Sequence, residues 1–298
     1  MTDVKKEKGP KVWLDMDQQE LDDAYTQSVY APNQPQVTGR WASNSEIARQ
    51  RLGPPRRFAY GPTPIEGLDL YAANRPNAPM MVFIHGGAWR QGEAKNYAFG
   101  AETFVRAGAH YVVLDFNNVI EAGGNLMVLA GQVRSAVAWV HRNAAQLGGD
   151  ADRLYVCGQS SGAHLTACVL TTDWQREFGL PAGILKGGLC SSGMYDLKPV
   201  RLSVRSSYVK FTDEMEQALS PQRYLDRINC PVAVAYGTFE TPEFQRQARD
   251  FAAALKAAGK PVQLLVGQGY NHFEMTETLG NPYGLLGRAA LELMGLAQ

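Results

Sequence analysis

Residues Leu154 to Leu170 read LYVCGQSSGAHLTACVL and hold the decisive local pattern of the chain. The apolar run Leu154–Cys157 predicts a strand and AHLTACVL predicts a helix, with only Gly158-Gln159-Ser160-Ser161-Gly162 between them. A strand that passes into a helix through so few residues must turn sharply. Glycines two residues either side of Ser160 leave room for a strained backbone there. In this strand–turn–helix setting the pattern G-x-S-x-G lifts the serine hydroxyl from the sheet edge to the start of a helix, where the positive end of the dipole favours developing negative charge. Ser160 is therefore the candidate nucleophile. Ser161 lacks the symmetric glycines and fits that role less well. The competing reading is a Ser/Gly-rich turn that only packs a helix on a strand.

Outward from this unit, the chain from Phe58 onward alternates short β-rich runs with longer helical segments. Strands are predicted at Leu68–Tyr71, Met80–Ile84, Tyr111–Phe116, Leu154–Cys157, Gly188–Ser191, Val232–Tyr236 and Val262–Val266. Most are continuously apolar, as strands covered on both faces are. Leu126, Leu129, Val133, Val137 and Val140 recur at steps of three or four and predict a helix through about Ala145. A second helix spans Glu243 to Ala258, stopped by Gly259 with Pro261 beyond. The alternation implies an α/β fold, a mostly parallel central sheet with right-handed crossovers, flanked by helices.

Two stretches break the rhythm. Residues 1–55 are polar and aromatic, with a short helix expected over Asp15 to Tyr25 behind an acidic cap, and form an N-terminal arm rather than an independent domain. Residues 56–298 are expected to form the domain proper. Within it, residues 195–225 pass without a strong strand, and KFTDEMEQALSPQRYL reads as a helix closed at Ser220-Pro221. Insertions at strand ends of α/β proteins often cover the binding crevice, so this one is expected to be a pocket wall or small cap.

After the strand Met80–Ile84 comes His85-Gly86-Gly87-Ala88-Trp89. A glycine-rich loop can turn its amides toward one point, which is what an oxyanion formed in acyl transfer requires. The N–H groups of Gly87, Ala88 and Ser161 are the candidate donors. His85 is expected to anchor the loop, and Trp89 to line the acyl pocket or pack. A serine hydroxyl also needs a base. Of the five histidines, His110 precedes a strand, His141 lies on a long helix and His164 sits one turn past Ser160. His272 lies in Gly269-Tyr270-Asn271-His272-Phe273, a loop after the last predicted strand, where α/β folds place chemistry. His272 is the candidate base. The acid that orients it is expected in Gly237-Thr238-Phe239-Glu240, after the strand Val232–Tyr236. Glu240 is favoured over Glu243, whose place at a helix start is explained by the dipole. The chain order Ser160, Glu240, His272 is then nucleophile, acid, base.

With this order in view, the chain resembles an α/β-hydrolase, and HGGAW with GQSSGAHL resembles the esterase/lipase branch related to hormone-sensitive lipase. More narrowly, LDMDQQELDDAY, YGPTPIEGLDLYAA, HGGAW, YGTFETPEFQRQ and GYNHF resemble the arylformamidase-like (kynurenine formamidase-like) hydrolases, from about Trp13 onward. One stretch departs from that pattern: Asn117 to Asn125, NNVIEAGGN, stands where a proline-containing segment is expected, near the pocket. The resemblance and the motifs together imply a serine hydrolase that cleaves a small carboxylic ester or aryl amide through an acyl-enzyme. Carboxylesterase-type activity is the leading reading and N-formylkynurenine formamidase the alternative. A non-catalytic ligand-binding protein on the same fold competes as a class, but such proteins usually lose a triad position, and all three are filled here. Among the aromatic residues, Trp89, Trp174 and Tyr195 are expected to bind substrate, with Trp13, Tyr25 and Trp41 of the arm nearby.

The composition agrees with this and sets limits. In 298 residues, 29 Lys+Arg balance 29 Asp+Glu, and a formal net charge of zero argues against a nucleic-acid partner or polybasic membrane binding. No apolar run is long enough to predict a transmembrane helix, and MTDVKKEKGPKVW lacks the apolar run of a secretory signal. Cys157, Cys168, Cys190 and Cys230 form no CxxC pair and read as buried free thiols of a cytoplasmic protein, which also disfavours a zinc site. The expected partner is a small-molecule ester or amide substrate, with no metal or organic cofactor; a homo-oligomer is left open.

Overall fold

The computed structural model describes residues 8–297; residues 1–7, which begin the stretch read above for a signal, and residue 298 lie outside the described residues. Eight strands form one sheet: β1 (Arg56–Ala59), β2 (Gly67–Tyr71), β3 (Ala78–Ile84), β4 (His110–Leu114), β5 (Gly149–Gln159), β6 (Leu185–Ser191), β7 (Val232–Gly237) and β8 (Val262–Gly267). Their order is β1-β2-β4-β3-β5-β6-β7-β8. The pairs β1/β2 and β2/β4 are antiparallel and all others parallel. After β3 the chain moves to one side to make β4 and then returns to the other side of β3 to make β5. The carboxyl ends of β3 and β5 thus flank the point where the strand order reverses, the crevice in which open α/β sheets hold ligands.

The continuously apolar strands explain the layering. In β3, Met80, Val82 and Ile84 point into one hydrophobic cluster while Met81 and Phe83 point into another, so the period-two alternation of a strand divides one apolar run between two cores. Each such side chain, fully buried, contributes roughly 1.5–3 kcal/mol. The helix Leu126–Arg142 lays Leu126, Leu129, Val133, Val137 and Val140 into the first cluster and stops at Asn143, earlier than expected. Ser161–Leu170, the helix behind the Gly-x-Ser-x-Gly turn, is buried along its whole length. The helix Pro242–Ala257 begins where Thr241 caps it and a proline occupies its first turn.

The expected strands are all present, and the differences have physical causes. Strand β8 is an edge strand, so Leu264 is 40% exposed rather than covered on both faces. Strand β1, Arg-Arg-Phe-Ala, has little apolar content and exists by antiparallel pairing to β2. The arm holds the short helix Gln18–Ala24, begun by an Asp17/Glu20 capping box. It also holds a 19-residue helix, Gln34–Leu52, without a clear apolar stripe in the sequence. That helix is held by tertiary contacts: Trp41 packs among Tyr97, Phe99 and Phe273, and Arg40 pairs with Glu277 in two parallel hydrogen bonds. Residues 195–228 form short helical turns without a strand. The four cysteines are buried and free, and no helix among the described residues is long and apolar enough to cross a membrane.

Candidate active site

Ser160 closes β5 with φ 59° and ψ −126°, a conformation that side-chain-bearing residues rarely adopt. Its N–H is held by the Ser191 carbonyl on β6 at 2.9 Å, and its own carbonyl accepts from His164 N–H at 3.1 Å. Gly162 shows why the turn needs a glycine. A Cβ there would lie 2.1 Å from the Ile84 carbonyl oxygen and 2.4 Å from that of His85, because the end of β3 presses directly onto the turn. That contact brings the His85–Trp89 loop against the turn that holds Ser160, and Trp89 N–H donates to Ser161 Oγ at 3.0 Å.

The Ser160 hydroxyl donates to His272 Nε2 at 2.8 Å. His272 Nδ1–H donates to Glu240 Oε2 at 2.8 Å. The other carboxylate oxygen, Oε1, accepts from Ser192 Oγ–H at 2.6 Å and from the Gly237 N–H at 2.7 Å. The Gln159 side-chain amide stands 3.1 Å from His272 Nε2. Serine, imidazole and carboxylate are 5%, 2% and 2% exposed, so the relay lies in a low-dielectric setting where each charged hydrogen bond is strong. Asn271 caps the helix that His272 begins, and Phe244 and Phe273 meet the imidazole edge-on at 5.0 and 5.3 Å, which fixes its plane. Glu243 is engaged elsewhere: Arg246 binds both its oxygens, and the Tyr25 hydroxyl donates to Oε2 at 2.9 Å.

Gly87, at φ 110°, is another position that only glycine fits, since a Cβ would lie 2.0 Å from the Gln91 carbonyl oxygen. The loop turns through Ala88 and Trp89, both at positive φ. Among the described residues the N–H groups of Gly87, Ala88 and Ser161 donate to no protein acceptor. Gly87 and Ala88 line the cavity over Ser160. His85 sits behind the loop, its Nδ1 2.9 Å from the Gly86 carbonyl and its ring stacked on Phe116 at 4.3 Å.

The cavity holds about 360 Å³, and the arm and the insertion both wall it. Tyr25, Gln27 and Trp41 come from the arm, Arg205 and Tyr208 from the insertion, so the arm covers its own chain's site. The expected substrate-binding residues Trp89, Trp174 and Tyr195 require correction, because none lines this cavity. Trp89 is turned inward by the positive φ of its loop and meets His164 edge-on. Trp174 packs on Phe178, and Tyr195 stacks on Phe251 at 4.1 Å with its hydroxyl donating to the Cys190 carbonyl. These large rings near the helix Ser161–Leu170 serve the core. Trp13 lies under Arg246 instead. The departing stretch Asn117 to Asn125 is also outside the cavity lining; its Val119 N–H binds the Trp89 carbonyl from behind the loop. Gln27, Arg205 and Tyr208 were not among the expected site residues; their only signal is membership of the arm or of the insertion, of which the insertion alone was expected to wall the crevice.

His164, one turn beyond Ser160, is fully buried and donates from Nε2 to the Leu219 carbonyl at 2.8 Å. Burial pushes its pKa from 6.5 down to about 4. The unfolded chain therefore binds a proton below about pH 6.5 that the folded protein refuses until about pH 4. Stability is complete above that window and falls as pH is lowered through it, by about 2 kcal/mol at pH 5 from this group alone. Burial lowers the pKa of His85, His110 and His141 as well, in the same sense. Urea denaturation at pH 7.5 and pH 5 is expected to show this loss, with a smaller difference in His164→Gln, whose amide also donates to Leu219 but does not titrate. Equal pH dependence in the two proteins would count against it.

Known proteins resemble this chain in sequence and in fold. A model of the prolyl oligopeptidase family matches residues 129–283, and one described as BD-FAE matches residues 68–185. A kynurenine formamidase of Danio rerio is 30% identical over 296 residues, covering 95% of this chain and 98% of that protein. An isoprenylcysteine α-carbonyl methylesterase of Arabidopsis thaliana is 25% identical over 74% of this chain and 56% of its own length. Among solved structures, the esterase LipW of Mycobacterium marinum has the same fold, with a TM-score of 0.70 at 18% identity over 92% of this chain and 90% of that one. With an α/β-hydrolase sheet and similarity to a formamidase along nearly its whole length, the chain belongs to the kynurenine formamidase family, among the esterase- and formamidase-like α/β-hydrolases.

Proposed function

We propose that this protein is a serine hydrolase that removes a small acyl group from a carboxylic ester or an aryl formamide through an acyl-enzyme on Ser160. The observation that carries the reading is the unbroken set of contacts from Ser160 Oγ through His272 to Glu240. His272 Nε2 takes the hydroxyl proton as Oγ bonds to the carbonyl carbon, and the imidazolium is stabilised by Glu240. The N–H groups of Gly87, Ala88 and Ser161 receive the oxyanion. As the tetrahedral centre collapses, the bond to the alcohol or amine breaks and His272 returns the proton to that leaving group. Water then attacks the acyl carbon by the same route, giving up its proton to His272, and the released Ser160 recovers it.

Two substrate readings have separate support. Esterases are among the relatives and the structural neighbours, while the kynurenine formamidase similarity runs the length of the chain. Both chemistries use the same apparatus. The test has two parts. A fluorophosphonate is expected to label the protein on Ser160, and absence of labelling would overturn the mechanism. Turnover of p-nitrophenyl acetate, phenyl acetate and N-formylkynurenine then ranks the substrates: an ester-first kcat/KM supports the carboxylesterase reading, and a dominant formamide supports the formamidase reading.

A further inference from the structure

Arg205 lines the cavity that contains Ser160 and is 4% exposed. A buried guanidinium normally lies against a carboxylate. Among the described residues none is within ion-pair distance of Arg205, although other arginines, including Arg57, Arg201, Arg223 and Arg246, have such partners. Its protein contacts are neutral: one donor reaches the Tyr208 hydroxyl at 3.1 Å and another the Tyr25 carbonyl at 3.1 Å. These hold the fork in place without cancelling its charge. A guanidinium has five N–H donors, so among the described residues most remain unused, and Nε has no partner there.

The rest of the cavity points the same way. Its lining includes a second cation, Arg90, whose guanidinium lies over the Tyr208 ring at 4.4 Å, and no aspartate or glutamate. In a chain of zero net charge this is a local positive site. Among the described residues Gln27, also in the lining and buried, has neither amide atom partnered, and the Trp41 indole N–H is likewise unpaired. Unsatisfied buried donors concentrated at one cavity are expected where a polar ligand completes them. Phe244 packs beside both groups, its ring 5.9 Å from the Arg205 guanidinium and 5.0 Å from the His272 imidazole, and Arg205, His272 and Ser160 all line the one cavity.

We propose that Arg205 is a specificity residue that binds a carboxylate on the substrate held at Ser160. The proposal deepens the hydrolase reading and rests on it. A planar carboxylate accepts two parallel N–H donors from a guanidinium, and at a buried guanidinium such a pair discriminates strongly against a neutral analogue. A neutral ester would leave the buried charge unpaired.

The test uses matched pairs: 4-acetoxybenzoate against its methyl ester, with the carboxylate in the leaving group, and mono-p-nitrophenyl succinate against its methyl ester, with the carboxylate in the acyl group. In the wild-type protein the charged member of at least one pair is expected to have a kcat/KM at least tenfold higher. In Arg205→Met that ratio is expected to fall at least tenfold, with Arg205→Lys between the two. Since Arg205 also holds Tyr25, a wild-type measurement stands beside the variants: benzoate should inhibit at least tenfold more tightly than benzamide. Turnover of the neutral esters with no preference for charge in either pair, equal inhibition by benzoate and benzamide, or an unchanged ratio in Arg205→Met overturns the role of Arg205 while leaving the hydrolase reading intact. No turnover together with no fluorophosphonate labelling overturns both.

Discussion

Ser160→Ala is expected to lower kcat on any accepted ester or formamide by on the order of 10⁵–10⁶-fold while leaving a folded protein. The size follows from what the oxygen does. In the proposed mechanism it is the atom that bonds to the acyl carbon, and without it the N–H groups of the Gly87–Ala88 loop would have only a water-borne reaction to assist, which leaves a small residual rate. Persistence of the fold follows from what the side chain touches. Its one protein partner is His272, and the strained φ of 59° is imposed by the backbone between β5 and the following helix, so alanine accepts the same strain. The thermal midpoint should move by no more than a few degrees. Steady-state turnover and a melting curve on the same preparation check both halves; a variant keeping more than about 1% of wild-type kcat would remove Ser160 from the mechanism.

Much of this site was legible because its constraints are local. A strand, a five-residue turn and a helix force the geometry at Ser160, and Gly162 is required there because the end of β3 closes onto it, as its contacts with the Ile84 and His85 carbonyls show. Position after a strand likewise indicated Gly87, Glu240 and His272, since the carboxyl ends of parallel strands share one edge of the sheet. What failed to show was set by packing between distant segments. Trp89, Trp174 and Tyr195 carry no sequence mark that separates a core ring from a pocket ring, and all three turn inward. The helix Gln34–Leu52 has no clear apolar stripe because its burial depends on Trp41 and a few neighbours against residues 97–99 and 273. Arg205 reads as an ordinary surface arginine until the fold shows it buried, with no counterion among the described residues.

Glu240→Gln is expected to lower kcat by about 10⁴-fold with little change in fold, and Glu243→Gln to do the reverse. The hydrogen bonds around Glu240 decide how the amide would sit. Oε1 accepts from both Ser192 Oγ–H and Gly237 N–H, so the amide oxygen of the glutamine is drawn to that side. The NH₂ group then faces His272 Nδ1, where the carboxylate accepted a proton before. Nδ1 must become the acceptor, which moves the ring proton to Nε2, and Nε2 can no longer take the proton of Ser160. The imidazole stays in place in the wrong tautomer and loses the charge that stabilises its cation. Glu243 instead ties Arg246 and Tyr25 together in a buried cluster, so its neutralisation leaves Arg246 short of a counterion and lowers stability. Its kcat should remain within about tenfold of wild type, since the hydrogen bonds of Glu243 go to Arg246 and Tyr25 and not to His272. Measuring kcat and the urea midpoint for both variants separates the two carboxylates: a large kcat loss in Glu243→Gln with a near-normal rate in Glu240→Gln would transfer the orienting role to Glu243.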